Sequence, residues 1–123
     1  MKASTPKPRT RLGAISEAEW QRTLVEMAEA LGWVAFYTRK SAIPGANGWR
    51  ALGPAGYPDL TLVHPRQKRV LWVECKAEKG RLSPAQTRWL DTLTAAGQEA
   101  WTWRPSNSDE AKRVLDGVGG LIC

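Results

Sequence analysis

The chain has 123 residues, 42% hydrophobic and 24% charged, which suits one domain burying roughly two thirds of its unfolded surface. No apolar run approaches the roughly 20 residues of a membrane span, and the basic N-terminal stretch is not followed by the long apolar segment of a secretory signal, so a cytoplasmic protein without a membrane partner is expected. A formal charge of +6 and a pI near 9.8 favour a polyanionic partner, because each neutralised phosphate releases counterions.

The cations are unevenly placed. Lys2, Lys7, Arg9 and Arg11 precede the first acid at Glu17, and Arg39, Lys40 and Arg50 fall between Tyr37 and Asp59 with no acid among them. Residues 1–15 read as a basic flexible arm and 16–123 as a single domain. Cys75 and Cys123 give neither a disulfide framework nor a metal-ligand spacing, which fits a reducing compartment.

In chain order, Ser16 with Glu19 forms a capping box, and Trp20, Leu24, Met27, Ala28 and Leu31 recur at helical spacing until Gly32 ends the first helix. Trp33 to Tyr37 reads as a strand, and the Gly- and Pro-containing stretch from Ser41 to Gly56 as a long loop, a length that is usually functional or disordered. Asp59–Val63 and Val70–Ala77 are two strands joined through a turn containing Pro65, and they form a hairpin with Asp59 and Glu74 at the same end. Ser83-Pro84-Ala85-Gln86 combines an N-cap, a proline at the first helical position and a second capping box, opening a helix that runs through Trp89, Leu90 and Leu93 to Gly97. Ala100–Trp103 is a fourth strand, and Ser108 caps a last short helix. The order is α-β-β-β-α-β-α.

The chemistry gathers at Asp59, Glu74 and Lys76. Alternation in the third strand puts Val70, Trp72, Glu74 and Lys76 on one face and Leu71, Val73 and Cys75 on the other, so the Cys75 side chain points away and leaves its carbonyl available. Phosphodiester hydrolysis needs an activated water, neutralisation of transition-state charge and help for the departing oxyanion. A magnesium-class ion on carboxylate and carbonyl oxygens supplies all three. A solvent-facing salt-bridge ladder is the bland alternative, but Leu60, Leu62, Leu71 and Val73 mark both strands as buried, where unpaired carboxylates are costly.

These residues resemble the PD-(D/E)XK nuclease superfamily, and within it the small stand-alone phage and bacterial VRR-NUC nucleases. The likeness rests on Gly-Tyr-Pro-Asp59-Leu and Glu74-Cys-Lys76. It extends through Ser16–Gln21, Gly32-Trp33, Lys79–Gln86 and Trp103-Arg104-Pro105. It implies a restriction-endonuclease-like α/β fold, an αβββαβ core whose mixed central sheet is flanked by helices. It further implies Mg2+- or Mn2+-dependent cleavage of branched DNA such as four-way (Holliday) junctions or flaps, with Asp59, Glu74 and the Cys75 carbonyl as metal ligands and Lys76 as the catalytic lysine. The resemblance also implies an acid on the first helix. Helix phase points Glu17 inward with Leu24 and Ala28, whereas Glu19, the alternative, has a separate use in the capping box. Gln86 carries the same tension between a site role and a capping role.

Further candidates are Trp49 beside Arg50, for DNA or a second copy, and Arg39, Lys40, Lys79 and Arg81 for phosphates. The other tryptophans, Trp20, Trp33, Trp72, Trp89, Trp101 and Trp103, are assigned to the core, and the lone His64 reads as a bystander in a turn. A domain this small has no separate DNA-reading module, so a homodimer acting on branched DNA is expected. The rival readings are a non-catalytic basic nucleic-acid-binding module and a sequence-specific restriction-type endonuclease.

Overall fold

The computed structural model describes residues 15–37 and 55–117. Residues 1–14 of the arm, and Arg39, Lys40, Trp49 and Arg50, lie outside them. Among the described residues, helix α1 spans Glu17–Ala30, followed by strands β1 (Val34–Tyr37), β2 (Leu60–His64) and β3 (Arg69–Cys75). Helix α2 (Pro84–Ala95), strand β4 (Glu99–Trp103), a 3-10 turn (Pro105–Asn107) and helix α3 (Ser108–Asp116) complete the order. Four strands form one mixed sheet in the order β1-β2-β3-β4, with β1, β2 and β3 antiparallel and β3 parallel to β4. The parallel pair requires a crossover, and α2 supplies it. The expected element order and mixed α/β architecture are both present.

One sheet face carries the core. Leu60, Leu62, Leu71, Val73, Cys75 and Trp103 pack there with Trp20, Leu24 and Ala28 of α1 and Ala111 and Leu115 of α3. The buried tryptophans are tied by their indole N–H groups: Trp20 donates to the Trp103 carbonyl at 2.8 Å and Trp33 to the Leu115 carbonyl at 2.9 Å. The first bond places the opening turn of α1 beside the C-terminal ends of β3 and β4, because Trp103 pairs with Cys75.

Three readings of the sequence need correction. His64 does not lie in a turn: it closes β2, is buried, and its ring bridges two backbone groups. Its Nε2 lies 3.0 Å from the Leu31 carbonyl and its Nδ1 accepts from the Gln67 N–H, which fixes a neutral tautomer that ties α1 to the β2–β3 turn. Gly32 lies under that ring at φ +96°, where a Cβ would come within 2.8 Å of Nε2. Ser108 does not cap α3 but begins it. Asn107 is the N-cap and makes no side-chain cap bond, because its Oδ1 accepts instead from the Arg104 N–H, 2.8 Å away. Trp72 and Trp89 are only half-buried, Trp72 on the sheet face opposite the core and Trp89 on α2.

Candidate active site

The opposite sheet face presents the carboxylates. Leu60 stands across from Val73 in the β2–β3 ladder, so Asp59, one step before β2, stands across from Glu74. The Asp59 Oδ2 accepts the Cys75 backbone N–H at 2.9 Å, which anchors the Gly56–Asp59 turn to the end of β3. Gly56 lets that turn approach α2: at φ +89° its missing Cβ would fall 2.5 Å from the Ala85 carbonyl carbon.

Glu74 is 1% exposed. Its Oε2 accepts from the Gln86 Nε2 at 2.9 Å and lies 3.8 Å from the Lys76 Nζ. Its Oε1 is the only buried side-chain oxygen among the described residues with no hydrogen-bond partner. Burial first and then the Asp59 charge raise the Glu74 carboxyl to about 8, with Lys76 opposing the shift and Glu17 adding to it. Two acids therefore stand near one buried carboxyl, with a single lysine to balance the three.

An orphaned buried carboxylate oxygen beside a second carboxylate calls for either a proton or a cation. A hard divalent ion would satisfy it, and Glu74, Asp59 and the Cys75 carbonyl are the groups that would hold one. No three His, Cys, Asp or Glu side chains form a ready ligand group among the described residues, so such an ion draws on backbone and water oxygens. The Cys75 thiol is no alternative ligand, because it is wholly buried in the core, and burial, followed by the Asp59, Glu74 and Glu17 charges, holds it protonated.

Glu17 and Glu19 make different contacts. The Glu19 Oε1 accepts the Ser16 N–H at 3.0 Å and the Ser16 Oγ accepts the Glu19 N–H at 3.1 Å, a closed capping box. Glu17 instead acts on Glu74 and Cys75 through its charge. Gln86 makes the capping contacts and a contact with Glu74 at once. Its backbone N–H meets the Ser83 Oγ at 3.1 Å and its Oε1 accepts the Ser83 N–H at 2.8 Å, which leaves Nε2 to turn toward Glu74. The capping bond thus settles which end of the amide faces the carboxylate.

Lys76 follows β3 directly and is 9% exposed. The Arg104 Nη2 donates to the Gly80 carbonyl at 2.7 Å, and Ser106 donates from both backbone and hydroxyl to Glu78 at 2.9 and 2.7 Å. A Cβ added at Gly80 would lie 3.4 Å from the Lys76 Cδ, so this glycine sits close beside the lysine stem. The connection after β4 therefore clamps the turn that carries the lysine. Neither Arg104 nor Glu78 stands out as a site residue from its chemistry in the sequence, although Trp103-Arg104-Pro105 falls within the segments that carry the resemblance. Lys79 and Arg81 flank this turn and are exposed.

No functionally curated protein matches the chain. The family model of the VRR-NUC domain matches residues 40–104. A solved structure described as a VRR_NUC domain superposes with a TM-score of 0.54 at 24% identity, over 76% of this chain and 90% of that one. With more than half its length matched, the chain belongs to the VRR-NUC family, a nuclease branch of the PD-(D/E)XK superfamily.

Proposed function

We propose that the protein is a Mg2+- or Mn2+-dependent endonuclease that cuts phosphodiester bonds in branched DNA, at four-way junctions or flaps, in the cytoplasm. The observation that carries this reading is the unpartnered, buried Oε1 of Glu74 beside Asp59 and Lys76. Asp59, Glu74 and the Cys75 carbonyl hold the metal. When bound, it supplies Lewis-acid charge for the scissile phosphate and a more acidic water. The Lys76 ammonium, fixed 3.8 Å from Glu74, orients the attacking water and faces the phosphate charge. Gln86 holds the Glu74 carboxylate in one rotamer, and Glu17 adds negative charge that favours the cation. Arg39, Lys40, Arg50 and Trp49, with Lys79 and Arg81, hold the flanking backbone.

The test is incubation of labelled four-way junction, flap and linear duplex with magnesium, manganese or EDTA. Metal-dependent cutting of a branched substrate is expected, abolished in Asp59→Ala and Glu74→Ala, and an absence of cutting on all three substrates overturns the reading. The catalytic domain being 16–123, a homodimer would place two sites on one junction. Val34, Phe36 and Val63, which lie exposed on one face at the β1 edge of the sheet, favour such an association. A monomeric mass by light scattering at micromolar concentration overturns it.

A further inference from the structure

Three aromatic side chains stand beside the carboxylates. Trp72 lies two residues before Glu74 on the same face of β3, a separation of about 6.7 Å along a strand. Its indole N–H donates to the Tyr57 hydroxyl at 2.9 Å. Tyr57, two residues before Asp59, meets Trp89 of α2 edge to face, with ring centroids 5.0 Å apart and an interplanar angle of 82°. The three rings thus belong to the three elements that build the site: the Asp59 turn, β3 and α2.

Core packing accounts for Trp20, Trp33 and Trp103, which are fully or nearly fully buried, but not for this trio. Tyr57 is 43% exposed, and Trp72 and Trp89 are half-buried. The indole–hydroxyl bond and the edge contact fix the Tyr57 ring while leaving much of it open to solvent. An aromatic side chain with only two rotatable bonds, already locked, loses little entropy when another planar group stacks on it.

We infer that Tyr57, held by Trp72 and Trp89, is a stacking platform for an unpaired nucleobase on the nucleotide next to the scissile phosphate. The inference rests on the nuclease reading and narrows its substrate. A base within a duplex has both faces covered by its neighbours, whereas a base at a flap or branch point offers a free face. Tyr57 lies two residues before Asp59 and is bonded to Trp72, which stands one strand repeat from Glu74, so a base stacked on it lies near a phosphate held at the carboxylates. Preference for branched DNA then arises from a base that only a splayed strand can offer.

The test measures affinity for a fluorescently labelled flap oligonucleotide by anisotropy in EDTA, with abasic residues introduced one at a time near the branch. Wild type loses about tenfold in affinity when one particular base is removed. Tyr57→Leu binds the intact flap about as weakly as wild type binds the abasic one and does not respond to that removal, whereas Tyr57→Phe, which keeps the ring and loses the bond from Trp72, still responds to that removal but binds the intact flap more weakly than wild type. If base removal costs Tyr57→Leu as much as wild type, the platform is wrong. A second measurement needs no variant: 2-aminopurine at the sensitive position loses emission on binding wild type, and unchanged emission at every position overturns the inference. A chain that shows the coupling but never cuts overturns the nuclease reading and leaves the platform. One that cuts with no coupling does the reverse.

Discussion

Glu74 combines near-complete burial, one unpartnered oxygen and two neighbouring acids, and the metal-free fold carries the consequence. Its folded value of about 8 stands above the ordinary value of 4.5, so between those pH values the folded state keeps a proton that the unfolded chain has released. Stability of the metal-free protein is therefore full below about pH 4.5, as far as this group decides it, falls as pH rises toward 8, and is level above. Thermal melts in EDTA across this range check the slope. Glu74→Gln should flatten it and raise the melting temperature near pH 8, and an unchanged slope in that variant would falsify the assignment. Gln86 allows a second separation. Gln86→Ala should cost about 1 kcal/mol of stability through the lost cap, and should lower kcat by about tenfold through the freed Glu74 rotamer. A variant that loses stability but keeps kcat reduces Gln86 to a cap. The sequence leaves these two roles as rivals because it shows one amide and two motifs. Only the fold shows that the carbonyl end serves Ser83 and the nitrogen end serves Glu74.

At the scale of elements, parity and phase are readable in the sequence, while cover is not. The two-residue period of β3 places Glu74 opposite in face to Cys75, and the helical period turns Glu17 rather than Glu19 toward the sheet, since both periods follow from backbone geometry alone. How much of a face a helix covers depends on a crossover whose path is set by tertiary contacts. Trp72 and Trp89 therefore look like core residues in sequence and turn out half-buried. The arginine clamp on the Lys76 turn is invisible for the same reason, as Arg104 lies 24 residues from the Gly80 carbonyl it holds. Gly56 is the position where element packing and site meet. A methyl group there would strike the Ala85 backbone and strain a φ of +89° as well. Gly56→Ala should then push the Asp59 turn and the α2 N-terminus apart, lowering metal affinity more than overall stability, which falls by about 1–3 kcal/mol. Magnesium titration monitored by tryptophan fluorescence, run beside a thermal melt, separates the two. Full metal affinity in this variant would mean that the turn adapts.

The whole molecule divides its charge in a way that bears on substrate capture. Seven of its eighteen basic residues, Lys2, Lys7, Arg9, Arg11, Arg39, Lys40 and Arg50, lie in the two acid-free stretches, which leaves eleven basic against twelve acidic residues for the rest. The body that carries the carboxylate site is thus close to neutral, and the excess that attracts a polyanion lies in residues 1–14 and 38–54, outside the described part. Such an arrangement lets an acidic metal site operate on an anionic substrate, because long-range attraction and local metal binding need not share residues. Counterion release makes the idea quantitative. Replacing Arg39, Lys40 and Arg50 together by Gln should reduce the slope of log affinity against log salt by about 2 to 3, since each phosphate contact contributes roughly 0.7 to 0.9. The same variant should raise KM at physiological salt more than it lowers kcat, because the metal site is left whole. Binding isotherms for a branched DNA at several salt concentrations decide it. An unchanged slope would place the phosphate contacts on other residues instead, with Lys79 and Arg81 as the first to replace.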